Sequence, residues 1–460
     1  GIMKKTIAIL LVAIMAVGSA FAAFSGSAQV GVGANFDNGD WGFIGNETKI
    51  TFDVDLATMN AEDVSEGDIY ASIKGSLGLR LVSDQDGIGT GNPLNIPSEA
   101  GVYGVYGTID EAKIAGANWY VSLKGVADVN DFAKSAIDTW TAKNDMDDDW
   151  HYYKADYDKN ATWKVGYDKA PGVEFGVYDF IFGVGFKANA VQEPDLDMVN
   201  KKALTLFAKT PEIAVIDGLT IQAGATYALQ DAGYIDAADK EINAFGVSAK
   251  VAYASDLLSA SVATDMGYDA LAEEFGADIA ANLSFDFVGV DFYYATAAAN
   301  SGVDGDPKTG ADYADGAKVE DLLSLQAKLD LTGFNVPVGL TLKGKDLVNT
   351  QDLSATVDLT FGSFKVSPTV GYVVDTETFK AGVAAEYVCD YFTAKAETNI
   401  KTAFVDDDLV WDASASIENT TLIPGATIKL AWTDADDLLN HDADADNEYG
   451  KIMASLKIDF

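Results

Sequence analysis

Apolar and polar residues alternate in long runs over most of this chain. In four of these runs every second residue is apolar: Ile50–Leu56, Leu323–Leu331, Leu353–Phe361 and Leu409–Ile417. Side chains that repeat with a period of two lie on opposite faces of a β-strand, so each run predicts a strand with one apolar face. The runs approach the roughly 9 to 11 residues that a tilted strand needs to cross a bilayer. The pattern therefore predicts an all-β fold and favours a transmembrane antiparallel β-barrel.

The C-terminal end repeats this alternation and stops on an aromatic residue. Ile452, Ala454, Leu456, Ile458 and Phe460 share one predicted face of a last strand. This strand resembles the C-terminal strand by which bacterial outer-membrane β-barrels are recognised for insertion. We therefore expect Phe460, Ile458 and Leu456 to form an assembly signal that is read by the barrel assembly machinery.

The N-terminal end has the features of a secretory signal peptide over residues 1–22. Lys4 and Lys5 precede an apolar stretch, Thr6–Val17, which is followed by small residues up to Ala22. Cleavage is expected after Ala22, which leaves residues 23–460 for the barrel. Beyond this point the sequence has no apolar run of about 18 residues, so a helical membrane protein is not predicted.

Connections between the runs alternate in length. Short turns are predicted at 115–117, 255–256, 288–289, 362–363 and 388–390, and longer, mostly acidic segments at 82–101, 128–160, 231–240, 265–276, 297–318 and 434–447. Outer-membrane barrels have short periplasmic turns and long outer loops, and bacterial single-chain barrels have even strand numbers. We predict about 18 to 22 strands on this basis. Val173–Ala190 can be one long strand or a hairpin, and a small periplasmic N-terminal domain before a smaller barrel is the alternative organisation.

Charged residues on the polar faces predict what lines the interior of such a barrel. A basic side chain facing lipid costs roughly 2 to 4 kcal/mol near the midplane, so charged side chains should face water. A barrel of this width is not filled by its own side chains, which implies an aqueous channel or an inserted segment. The predicted pore-lining residues are Asp53, Asp55, Lys328, Asp330, Asp352, Asp358, Lys365 and Asp412.

The long segment 128–160 has a helical spacing of apolar residues at Phe132, Ala136, Ile137 and Trp140. In general porins a long loop folds into the lumen and narrows the pore, and this segment resembles that loop in its placement. A cap on the outer surface is the alternative.

Composition narrows the choice of partners and chemistry. The formal net charge of −40 argues against nucleic acid and favours cations, and the one cysteine, Cys389, allows no internal disulfide. Among the acidic runs, Asp442, Asp444, Asp446 and Glu448 are the best candidate metal ligands, but the EF-hand pattern fails there, so solvated loop charge is favoured over a weak divalent-cation site. No catalytic constellation is found, and neither enzyme activity nor a cofactor is predicted.

The whole pattern resembles the outer-membrane porins of diderm bacteria. The near absence of arginine, with Arg80 alone, the N-terminal signal and the acidic loops are similar to the major outer sheath (major surface) proteins of treponemes. The resemblance implies an oligomeric barrel in the lipid of the cell outer membrane that passes small hydrophilic solutes. The acidic polar faces predict a preference for cations. A surface adhesin or major surface antigen that uses its loops to bind host matrix proteins is the alternative, and a secreted soluble β-protein is another.

Overall fold

The computed structural model describes residues 24–36, 41–43, 49–57, 69–80, 104–126, 132–137, 170–192, 198–231, 241–271, 273–296, 321–348, 351–375, 377–402, 409–435, 438 and 449–459. These residues form 24 β-strands and one 3₁₀ turn, Thr332–Phe334, with no α-helix among them. The prediction of an all-β fold is confirmed. Phe460 and the four candidate metal ligands from Asp442 to Glu448 lie outside the described residues.

The first twelve strands are β1 Phe24–Asn35, β2 Trp41–Phe43, β3 Lys49–Ala57, β4 Tyr70–Arg80, β5 Gly104–Gly116, β6 Trp119–Val126, β7 Ala170–Val177, β8 Phe180–Gln192, β9 Met198–Lys209, β10 Ile213–Ile216, β11 Leu219–Gln230 and β12 Ile242–Ala254. The remaining strands are β13 Leu258–Asp269, β14 Glu274–Phe285, β15 Val288–Ala295, β16 Leu322–Asp330, β17 Val338–Lys345, β18 Asp352–Phe361, β19 Phe364–Val373, β20 Thr378–Val388, β21 Thr393–Thr402, β22 Leu409–Asn419, β23 Ala426–Ala435 and β24 Lys451–Asp459.

Internal contacts divide the chain into two units, and the first consists of Gly1–Ile114, Glu386–Ala396 and Asp412–Phe460. In this unit β1 pairs antiparallel with β24 along one edge, from Ser27 opposite Asp459 to Asn35 opposite Lys451. The other edge of β1 pairs with β2 and β3, and β24 also pairs with β23. Among the described residues the first strand is therefore hydrogen-bonded to the last one.

The second unit, Ala115–Ala385 and Glu397–Trp411, is an antiparallel meander. Its strands pair in chain order from β6 to β9 and from β11 to β19. One edge of β11 pairs with β9 and, after a break, with β10. Pro211 lies at this break and has no backbone N–H to continue the ladder.

The number of strand positions agrees with the predicted range. β2 and β3 share one edge of β1, and β9 and β10 share one edge of β11, so the 24 strands of the described residues occupy 22 positions. The predicted ambiguity at Val173–Ala190 resolves as a hairpin, β7 and β8. Its turn residues Tyr178 and Asp179 have φ angles of 48° and 66°, as a type I′ hairpin turn requires.

Two of the predicted connections are wrong in position. The segment 265–276 is not a long loop, because β13 continues to Asp269 and β14 begins at Glu274. The turn expected at 288–289 lies two residues earlier, at Asp286 and Phe287, and Val288 already begins β15. Acidic and glycine residues suggested a loop in the first case, although the apolar alternation of β13 runs through it.

The strands expose their apolar side chains and bury their polar ones. In β13, Val262 is 53% exposed and Asp265 is 3% exposed; in β14, Ile279 is 37% exposed and Asp278 is fully buried. We call the side of the strands with the exposed large apolar residues the apolar face and the opposite side the polar face. Leu325, Leu342, Leu353 and Val370 continue the apolar face through β16 to β19. A sheet of a water-soluble protein has the opposite arrangement, with its apolar side chains buried.

Candidate functional site

The polar face of β13 to β18 places hydrogen-bonding side chains in rows that cross the strands. In one row the paired positions are Ser259, Ser284, Gly289, Lys328, Thr341 and Thr356. In the next row, two residues further along each strand, they are Ser261, Asn282, Asp291, Gln326, Lys343 and Ser354. The rows arise because cross-strand partners in an antiparallel sheet project to the same side.

Asp291 is the centre of the second row. Its carboxylate accepts hydrogen bonds from Asn282 Nδ2 at 2.8 Å and from Gln326 Nε2 at 2.9 Å, and Lys328 Nζ lies 3.1 Å from its Oδ2. Ser261 of β13 donates a hydrogen bond to Asn282 Oδ1, so side chains from four strands, β13 to β16, form one connected network. The half-buried carboxylate keeps its charge because these donors replace water.

Two further lysine–aspartate pairs lie on the polar face of the neighbouring strands. Lys365 Nζ is 3.2 Å from Asp358 Oδ1, and Ser367 donates a second hydrogen bond to the same oxygen. Lys380 Nζ is 3.2 Å from Oδ2 of the buried Asp352. The charges on this part of the polar face are therefore compensated locally.

The structure brings five of the predicted pore-lining residues to one surface. Lys328, Asp330, Asp352, Asp358 and Lys365 all lie on the polar face of β16, β18 and β19, opposite the exposed apolar side chains. Asp412 alternates in β22 with the exposed Leu409 and Trp411. Asp53 and Asp55 lie in β3, and their side chains lie outside the described part of the chain. That these residues line a pore stays a prediction.

A short piece of the long segment 128–160, Phe132–Ile137, packs against the polar face, and we call it the inserted segment. Ala133 joins a buried cluster with residues of four consecutive strands: Ala263, Ala280, Tyr293, Ala295 and Leu322. Phe132 packs against this cluster, and Lys209 Nζ of β9 lies 5.4 Å from the centroid of its ring. The inserted segment is not helical, so the helix suggested by its apolar spacing is wrong for these residues.

Asp265 fixes the inserted segment to the sheet. Its Oδ2 accepts hydrogen bonds from the backbone N–H groups of Phe132 at 2.9 Å and Ala133 at 2.7 Å, and its Oδ1 accepts from Phe132 at 3.1 Å. The next strand places Asp278 directly opposite, where its carboxylate accepts a hydrogen bond from Tyr293 Oη at 2.9 Å. Sequence reasoning missed Asp265 because the segment 265–276 had been predicted as a loop, and it did not single out Asp278.

The structure describes two of the three residues of the predicted assembly signal, Leu456 and Ile458. Leu456 and Ile458 of β24 pair with Val30 and Ala28 of β1, and they lie on the same face as the exposed Val30 and Val32. Leu456 and Ile458 thus belong to an apolar face that continues into β23 through Ile428 and Leu430.

Two further features are absent from the described residues. No helix among them has the length and apolar character to span a membrane. No three His, Cys, Asp or Glu side chains within the described ranges come together as metal ligands would.

Comparisons with known proteins give similarity in solved structures alone. No protein-family model matches the chain, and no curated protein matches it. The siderophore receptor PirA from Acinetobacter baumannii is 11% identical, with 95% of this chain and 80% of that chain covered and a TM-score of 0.42. A mutant of the ferric enterobactin receptor PfeA from Pseudomonas aeruginosa has 11% identity, coverages of 95% and 80% and a TM-score of 0.45. Acinetobacter baumannii OccAB2 has 11% identity, coverages of 95% and 96% and a TM-score of 0.36. At these identities and TM-scores the similarity supports no conclusion about the function of this chain.

Proposed function

We propose that this protein is an outer-membrane β-barrel that forms a water-filled channel for small hydrophilic solutes. The observation that carries the proposal is the reversal of the two faces, with large apolar side chains exposed and carboxylates buried on the same strands. Exposed apolar area of this extent is stable only against lipid or another protein. Lipid is the better partner for this area, because exposed apolar side chains recur on every strand from β11 to β19 and do not form a single patch.

The lengths and ends of the strands agree with a membrane crossing. β11, β13 and β14 each have 12 residues, which is sufficient for a tilted strand to cross the hydrocarbon core. Exposed aromatic residues lie near both ends of the strands, with Tyr178 and Tyr253 at the short turns and Tyr268 and Tyr372 at the other end. Aromatic rings at these two levels suit the two membrane–water interfaces.

The pairing of β1 with β24 supports closure, since a sheet in lipid cannot leave backbone groups unpaired at an edge. In a closed barrel the polar face lines the interior, and a barrel with 22 strand positions is wide enough for a lumen. The inserted segment then occupies part of this lumen. We infer that the channel favours cations, because acidic residues exceed basic ones by 40 over the chain.

Two measurements test the proposal, one on fractionated cells and one on the purified protein. In the membrane fraction of the cells we expect a detergent-requiring, heat-modifiable species. In planar bilayers we expect the purified protein to give stepwise conductance. Recovery of the folded protein without detergent from the periplasm would instead support a soluble β-protein. A membrane-embedded form without conductance would leave the barrel and reject the channel.

Partners and the particular type of outer-membrane protein remain proposals as well. We propose contact with outer-membrane lipid, delivery by the barrel assembly machinery and assembly into homo-oligomers, which chemical cross-linking in intact membranes would test. We also propose similarity to the treponemal surface proteins. Binding of host matrix proteins by the outer segments is the alternative function, and a binding assay on intact cells would test it.

A further inference from the structure

We infer that the rows of the polar face from β13 to β18 form a binding track for neutral, polyhydroxylated solutes such as oligosaccharides. The inference rests on the proposed channel and names the class of solute that its interior recognises. It follows from three features of the rows: their composition, their local charge balance and the hydroxyl groups that they leave available.

Hydroxyl and amide side chains occupy eight of the twelve positions in the rows, and Lys328, Asp291 and Lys343 are the charged ones. The first row presents Ser259, Ser284, Thr341 and Thr356, and the second row adds Asn282 and Gln326. Neighbouring strands lie about 4.8 Å apart, and successive rows lie about 6.7 Å apart along the strand. A solute with several hydroxyl groups can therefore contact more than one strand and more than one row at once.

Two aspartates in and beside the rows, Asp291 and Asp358, are already compensated within the protein. Asp291 has three donors, including Lys328, and Asp358 has both Lys365 and Ser367. A charged solute would have to compete with a partner at 3.1 to 3.2 Å for either member of these pairs. A neutral solute needs no such exchange, so this part of the polar face discriminates by hydrogen bonding more than by charge.

Four hydroxyl groups of the rows are available for a solute. Ser259, Ser284, Thr341 and Ser354 make no side-chain hydrogen bond to the described part of the chain, and all four are half-buried or exposed. Each can both donate and accept a hydrogen bond, as a sugar hydroxyl can. The gain for each contact is small because water is displaced, and weak binding at several sites is what passage through a channel requires.

The inference is tested with raffinose, a neutral trisaccharide, and with trilysine and triglutamate as charged probes. The experiment uses the full-length protein in planar bilayers and measures the block of ion current against probe concentration. Isothermal titration of the detergent-solubilised protein with raffinose gives the affinity without any need for conduction. The test variant is the triple substitution Ser284→Ala, Thr341→Val and Ser354→Ala. The matched control, Thr220→Val, removes a hydroxyl from the polar face of β11, two strands before the track begins at β13.

We expect raffinose to block the wild type at lower concentration than triglutamate, whereas trilysine, which the acidic lumen attracts by its charge, should block the wild type and the triple variant equally. The triple variant should lose the raffinose block severalfold, and Thr220→Val should behave as the wild type. Equal raffinose block of the triple variant and the wild type, or a loss of trilysine block in the triple variant as large as the loss of raffinose block, would overturn the inference while the channel stands. Raffinose binding in titration by a protein that conducts no ions would support the inference and reject the channel.

Discussion

A buried carboxylate needs donors that replace its lost hydration, and Asp265 finds them in the inserted segment. Three hydrogen bonds from two backbone N–H groups reach its oxygens, so the side chain and the segment order one another. The sequence could not predict this contact, because Asp265 and Phe132 are far apart in the chain and backbone donors leave no pattern in the sequence. It did place Lys328, Asp352 and Lys365 on the correct face, since the period of two alone decides that.

Replacing Asp265 with Ala should detach the inserted segment. Hydrogen bonds to a charged group contribute about 1.5 to 3 kcal/mol each and are not additive, so we expect docking to weaken by about 2 to 4 kcal/mol. Single-channel conductance should rise, and a cysteine introduced by Ala133→Cys in a Cys389→Ser background should label faster. Asp358→Ala is the control, because Asp358 lies on the polar face without contact to the segment. Unchanged conductance and labelling in Asp265→Ala would show that other contacts hold the segment.

Each strand is defined by which face its side chains occupy and by its register with the neighbouring strands. The faces could be predicted from the sequence far better than the register. Alternation predicted the faces of β16, β18 and β24, whereas the interruption between β9 and β10 was not foreseen. Register depends on cross-strand packing of particular pairs. Glycine opposite an aromatic residue is one such pair: Phe207 faces Gly183, and Tyr120 faces Gly176, with each ring covering the glycine on the polar face.

Gly183→Ala should therefore destabilise β8 and β9. A Cβ at Gly183 would overlap the ring of Phe207, and forcing extra volume into a packed site costs about 1 to 3 kcal/mol. Gly289→Ala in β15 is the matched control, since the nearest heavy atom to its new Cβ is Lys328 Cβ at 3.6 Å. Urea unfolding in lipid vesicles measures both variants. A loss of stability as large for Gly289→Ala would indicate a general effect of alanine in these strands.

Neighbouring residues of β13 test the assignment of the faces. Val262→Arg places a charge on the apolar face, and we expect a loss of about 2 to 4 kcal/mol in folding from urea into bilayers. Ser261→Arg changes the adjacent position, on the polar face, and should cost much less because its charge meets water. Similar losses for the two variants would be incompatible with a lipid-facing apolar side.

At the scale of the whole molecule, the first and last strands of the described residues pair with each other, so β24 brings distant parts of the sequence together. Its apolar residues Leu456 and Ile458 continue the apolar face of β1, and Phe460 is the next residue of the same alternation in the sequence. Deletion of Phe460 should lower the amount of protein in outer membranes while the protein that does assemble keeps its heat-modifiability and conductance. The substitution Phe460→Ser removes the aromatic ring while it preserves the chain length, and it gives the same test. Equal outer-membrane levels of these variants and the wild type would remove the assembly role from this residue.

Ion selectivity depends on the balance of charge over the entire chain. Acidic residues outnumber basic ones by 40, and the polar-face lysines at 328, 365 and 380 are each within 3.2 Å of an aspartate, so they leave the remaining acidic charge uncompensated. Fixed charges act over roughly 10 Å at 0.1 M salt and roughly 3 Å at 1 M. We therefore expect a reversal potential in a KCl gradient that favours potassium at low salt and declines as salt rises.

Two substitutions test which charges set this preference for potassium. Lys365→Gln, which leaves Asp358 without its cation, should increase the preference, and Asp330→Asn should reduce it. A chloride preference would contradict the assignment of these carboxylates to the channel, and an equal permeability at low salt would mean that the lumen is too wide for its charges to act.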